Sequence, residues 1–188
     1  CSSSEGFNKK TGLIATKKSG FFDSEINTYL SVADTLGIPK KEGYEYVYAR
    51  HPFVFLTEAA DDICYRVIDL EDAHRLNIVS LQKIKDLFLP FFEKEKDYNS
   101  VDYIARKIDE INDANQKVQY IRARWISLMI DKLSTIFMEQ EEALLSGTLE
   151  YDLMKCLPAD DQLLIDEINK YSVKNVYNYR SVVEIEIA

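Results

Sequence analysis

Glycine and proline are scarce in this chain, six and four in 188 residues. So few breakers, set among many Leu, Ile, Lys, Glu and Asp, argue against a multi-stranded sheet and for long helices. Cysteine is as sparse. Cys1, Cys64 and Cys156 are odd in number, far apart and outside any C-x-x-C spacing, which argues against a disulfide framework or a zinc–thiolate site and suits a reducing compartment. No apolar run approaches the length of a membrane span, and the N-terminal stretch has no signal-peptide pattern. These absences predict a soluble, cytoplasmic protein with no membrane partner. Positive charge is also in deficit, with 23 Lys+Arg against 32 Asp+Glu and a formal net charge of −9. Such a chain does not attract nucleic acid or an anionic membrane by its overall field. It can hold a polyphosphate only through a local Lys/Arg cluster or through a metal.

What is present is globular: 46% hydrophobic and 12% aromatic residues, enough for one domain with a core or a large piece of a bigger one. The chain opens on Cys1-Ser2-Ser3-Ser4 without an initiator Met and closes on an apolar-alternating run through Ala188. Both ends read as cuts in a longer protein.

The pattern predicts a mainly α-helical chain. Residues 1–20 read as a loop, 21–145 as a helical region and 146–188 as a C-terminal helical and strand subregion. A first helix is expected from Asp23 or Ser24, either able to cap it, stopping at Gly37. Tyr44 to Arg50 reads as extended or irregular. Pro52 suits a first helical turn, and no breaker follows before Leu76, so one long helix is expected there. Ser80 and Ser100 are expected to cap two shorter helices, with Pro90 ending or kinking the first. From Gln116 to Leu145 one unbroken helix is expected, with Val118, Ile121, Trp125, Leu128, Met129, Leu133 and Phe137 as its apolar stripe. Leu149–Leu157 and Asp160–Lys170 read as further helical pieces, and the stretch from Val182 as a possible short strand.

The chemistry is concentrated between Glu58 and Asp72, where six carboxylates fall within fifteen residues of the long predicted helix. Asp62–Arg66 and Glu71–Arg75 have the spacing and order of ordinary solvated pairs, each worth about 0.3–0.5 kcal/mol. Asp61, Tyr65, Asp69 and Asp72 share one helix face, and no base lies three or four positions from Asp61. That face has two readings: a groove shared by a divalent cation and a polar ligand, or a buried polar network between helices. His51, just before the helix, reads as a structural or capping residue, and His74 as a surface one. Lys17, Lys18, Arg122 and Arg124 could reach phosphates, though Arg122 and Arg124 read better as part of a salt-bridging interface beside a core Trp125.

The string Arg50-His51-Pro52, then Glu58-Ala59-Ala60-Asp61-Asp62-Ile63-Cys64-Tyr65, then Asp69-Leu70-Glu71-Asp72, resembles the corresponding helix of HD-superfamily dGTPases. Lys17 to Glu25 and Arg180 to Ala188 resemble other segments of that family, with Ser19 a departure. The resemblance implies an HD-domain-like helical bundle, and a parent enzyme that hydrolyses dGTP, or dNTPs more broadly, to a deoxynucleoside and inorganic triphosphate. It implies a divalent metal, Mg or Mn, held by a His, a His-Asp pair and a distant Asp, of which Asp61 is the last. The other three ligands are absent, since this chain has only His51 and His74 and no His-Asp pair. It further implies that Tyr65 packs on the sugar and Asp69 accepts its 3'-hydroxyl, with no catalytic residue assigned in this chain. A homo-oligomer and a regulatory dNTP are expected of such a parent, while the chain alone is expected to be inactive. The alternative is a catalytically inactive helical domain that binds nucleotide or assembles subunits.

Overall fold

The computed structural model describes residues 13–16 and 21–178. Among them are seven α-helices: α1 (Ile26–Thr35), α2 (Pro52–Arg75), α3 (Leu81–Phe88), α4 (Val101–Glu110), α5 (Ala114–Glu139), α6 (Glu141–Leu145) and α7 (Ala159–Ser172). The described residues form no strand, only an isolated antiparallel bridge between Lys40 and Tyr48. The expected mainly α-helical class is therefore observed. The candidate C-terminal strand from Val182, and Lys17 and Lys18, lie outside the described residues.

Helix boundaries follow local chemistry. At the start of α2 the Phe53 amide donates to His51 Nδ1 (3.2 Å), so the histidine caps the helix while Pro52 occupies the turn that needs no donor. The helix ends at Asn77, whose φ of 59° turns the chain left-handed. Gly37 stops α1 with φ 61°, and the Ile38 amide closes back on the Ala33 carbonyl at 2.9 Å. Ser80 and Ser100 accept from the amides of Lys83 and Tyr103, as expected of N-caps.

Three expectations are corrected. Asp23 and Ser24 do not cap α1. They lie in a 3-10 turn, Asp23–Glu25, where the Glu25 carboxylate takes the Phe22 amide at 3.0 Å. The expected helix through Leu145 is interrupted at Gln140, whose ψ of 12° is off the helical value. Hydrogen bonds from Gln140 to Ile136 and from Leu144 to Gln140 continue on both sides, so the break involves one residue and needs no Gly or Pro. Leu149–Leu157 is not helical apart from a 3-10 turn, Leu153–Cys156. Its apolar spacing instead buries Leu149, Leu153, Met154 and Leu157.

The chain divides into two compact units, residues 1–59 with 134–156 and residues 60–133 with 157–188, α2 and α5 contributing to both. In the first unit, Lys41 Nζ donates to the Gly147 carbonyl at 2.7 Å and pairs with Glu150. The Ile14 amide donates to the same Glu150 carboxylate at 3.0 Å. Gly147 has φ 70°, and a Cβ there would sit 2.5 Å from that of Ala49, so only glycine fits.

The second unit is built around Trp125, fully buried and edge-on to Phe88 (5.2 Å between ring centroids) and Phe91 (5.7 Å). Replacing such a side chain by alanine costs about 3–5 kcal/mol. Ile84, Leu87 and Phe88 of α3, and Ile104 and Ile108 of α4, supply apolar faces to the same core. Arg66 Nε donates to Asn169 Oδ1 at 3.1 Å, tying α2 to α7. No helix among the described residues is long and apolar enough to cross a membrane.

Candidate functional site

Asp61, Tyr65 and Asp69 all lie in the second unit, on the part of α2 that starts at residue 60. Successive members are one helical repeat apart, about 6 Å along the axis. Asp61 and Tyr65 face solvent, Tyr65 with 58% of its surface exposed, and Asp69 is half-buried. The opposite face carries Ile63, Val67 and Leu70, all buried. A buried network between helices is therefore not the reason for Asp61, whereas the hydroxyl of the exposed Tyr65 meets that of Tyr177. Asp72 continues the face but is paired with Arg75 at 3.5 Å.

The structure adds a residue that the sequence did not suggest. Tyr177 donates its hydroxyl to Asp69 Oδ2, and its ring lies 6.2 Å from that of Tyr65, tilted by 31°. Burial, then the hydrogen bond to Asp69, push its phenol well above the usual tyrosine range. Tyr177 reaches this place because α7 runs on into a π-helical turn, Val173–Tyr177, a local widening common at functional sites. No local pattern announced it, since the two partners are 108 residues apart.

Other candidates are otherwise engaged. Asp62 and Arg66 pair at 3.1 Å as expected. The Glu71–Arg75 pair is not an ordinary solvated one: Glu71 is 2% exposed and also pairs with Arg122 of α5. Arg124 donates to Asn99. His74 is half-buried rather than a free surface residue, and its Nδ1 donates to the Val79 carbonyl at 2.8 Å. In the first unit a cavity of about 390 Å³ is lined by Leu36, Pro39, Phe137 and Met138, with Arg50 and His51 at its wall. None of Asp61, Tyr65 and Asp69 lines it.

As a metal centre this arrangement is incomplete. Asp61 is an exposed carboxylate with no ion-pair partner among the described residues, which suits a single oxygen ligand. No group of three or more His, Cys, Asp or Glu among the described residues is placed to hold an ion.

The chain is similar to several known proteins. The chain is 29% identical over 172 residues to a deoxyguanosinetriphosphate triphosphohydrolase-like protein of Synechocystis, covering 92% of this chain and 36% of that protein. It is 28% identical over 189 residues to a protein of the same description from Listeria monocytogenes, covering 96% of this chain and 37% of that one. It is also 28% identical over 147 residues to a deoxyguanosinetriphosphate triphosphohydrolase of Yersinia enterocolitica, covering 73% and 29%. No family model matches the chain. The chain is thus related to the deoxyguanosinetriphosphate triphosphohydrolases, and it spans about a third of the length of these relatives.

Proposed function

We propose that this chain is part of a phosphohydrolase that converts dGTP, or dNTPs more broadly, to a deoxynucleoside and inorganic triphosphate. The observation that carries the reading is the outward-facing Asp61–Tyr65–Asp69 row on α2. On one flank of α2 an exposed acid without an ion-pair partner among the described residues stands one turn from an exposed aromatic ring and two turns from a half-buried acid, a set able to meet a cation, a sugar face and a hydroxyl together.

Each side chain has a role in this reading. Tyr65 lays its ring against the sugar at C2', where a 2'-hydroxyl would clash. Asp69 accepts the 3'-hydroxyl in a charge-assisted hydrogen bond. Losing that contact would leave a desolvated polar group unpaired, which gives strong discrimination. Asp61 contributes one oxygen to a divalent cation, Mg or Mn, whose remaining ligands come from outside the described residues. The whole protein is read as a cytoplasmic homo-oligomer.

A triphosphate-release assay on the full-length protein, with each dNTP and with Mg or Mn, tests this. Release of inorganic triphosphate in preference from a deoxynucleotide is expected. Nucleotide binding without release would instead favour a catalytically silent binding or assembly domain.

A further inference from the structure

We infer that Tyr177 is a positioning residue for Asp69: its hydroxyl occupies Oδ2 so that Oδ1 is held toward a sugar hydroxyl, and its ring extends the wall that Tyr65 begins. The inference rests on the sugar-binding reading of Tyr65 and Asp69.

The geometry carries it in three ways. An aspartate half-exposed on a helix flank spreads over several rotamers, and ordering it on binding weakens affinity. A carboxylate offers about four acceptor positions on two oxygens, so one hydroxyl donor can fix it without filling it. Tyr177 makes this bond to Oδ2, and the other oxygen has no hydrogen bond among the described residues.

The donor is itself held in place. Val176, its neighbour in the π-helical turn, is buried at 7% exposure. Asn175 Nδ2 donates to the Tyr171 carbonyl at 2.9 Å, within the turn that connects to α7. Asn169, on α7, takes the Arg66 guanidinium from α2, so the tyrosine and its aspartate are carried by two helices already tied together.

The tilted ring of Tyr177, 6.2 Å from that of Tyr65, is too far and too oblique to be a close stack. The two rings form a shallow aromatic corner with Asp69 at its edge. A deoxyribose fits such a corner through its apolar C2' edge and its 3'-hydroxyl. A ligand without the hydroxyl can use the rings but not the carboxylate.

The test compares Tyr177→Phe with the unaltered full-length protein on dGTP and on its 2',3'-dideoxy analogue. Removing only the hydroxyl should raise KM for dGTP about five- to tenfold, roughly the net worth of one ordinary hydrogen bond, since the effect reaches the sugar only through Asp69. The kcat should change little, and the dideoxy analogue, which makes no use of Asp69, should be unaffected. An equal rise for both nucleotides would overturn the proposal by showing a general disturbance of the fold. A fall in KM for dGTP would overturn it too, because the tyrosine would then be a plug on the carboxylate. Asp69→Asn separates the two levels. If it also leaves the dGTP-to-dideoxy ratio unchanged, the sugar reading of Asp69 itself is wrong. If it collapses the ratio while Tyr177→Phe does not, only the positioning role fails.

Discussion

Glu71 of α2 is held between two arginines, Arg75 one turn further along its own helix and Arg122 of α5, with its side chain only 2% exposed. The arginines are 47% and 35% exposed, so the desolvated member of the trio is the acid. A buried carboxylate of this kind is costly unless both oxygens are satisfied, and here both are. The first prediction follows. Glu71→Gln keeps the shape but turns one acceptor into a donor that faces an arginine. Unfolding free energy in urea should drop by about 1–3 kcal/mol, with a melting shift of about 2–4 °C for each kcal/mol. A variant as stable as the parent protein would show that the trio contributes nothing net.

Asp61→Ala should do the reverse. The side chain is exposed and unpaired among the described residues, so stability should be unchanged, or slightly raised by the better helix former. If Asp61 is the proposed metal ligand, turnover of the full-length protein should be abolished and excess substrate should not restore it. Bound manganese, measured by atomic absorption, should fall in parallel. Normal metal content with normal turnover would remove Asp61 from the ligand set.

Tyr65→Ala addresses selectivity rather than chemistry. With more than half its surface already in water, the ring contributes little to the core, and its loss should cost about 1 kcal/mol through the partner ring of Tyr177. If Tyr65 faces the sugar as proposed, the space opened at C2' should lower the preference for dGTP over GTP by about tenfold. Competition kinetics with both nucleotides measures the ratio directly, and an unchanged ratio would rule out the sugar-gate role.

Tyr29 provides a pH-dependent prediction in the first unit. It stacks on Phe21 at 4.1 Å and meets Tyr48 edge-on at 5.5 Å. Burial, and then the neighbouring Tyr48, raise its phenol from 10.0 to about 12. The folded state therefore retains a proton that the unfolded chain releases first. Its contribution to stability is complete below pH 10 and is lost as the pH rises toward about 12. Tyr29→Phe should flatten the fall in unfolding free energy across that window, and a slope identical to the parent's would contradict the assignment.

Much of this was legible in the residues themselves. The extent of α2 was readable because its signals are local: a proline in the first turn and no breaker for two dozen residues. The Asp61–Tyr65–Asp69 face was readable for the same reason, since helical spacing places those side chains together in any fold. Glu71 was misjudged because its second arginine is 51 positions away, while the local pattern shows only Arg75. Tyr177 was missed because nothing near it in sequence marks it, and its importance comes from a partner on another helix. The break at Gln140 was hidden because a one-residue deviation inside continuous hydrogen bonding needs no special residue.

The π-helical turn before Asn178 makes the aim of Tyr177 a matter of counting. Such a turn is an α-helix carrying one surplus residue. Removing one residue ahead of Tyr177, between Val173 and Val176, would restore the ordinary phase and swing Tyr177 by about 100°. Tyr177 would then leave Asp69, although every side chain of the pair was still present. Insertions and deletions near residue 175 thus test this corner of the molecule in a way that substitutions cannot, because the aim of Tyr177 depends on the length of the segment before it as well as on its own hydroxyl.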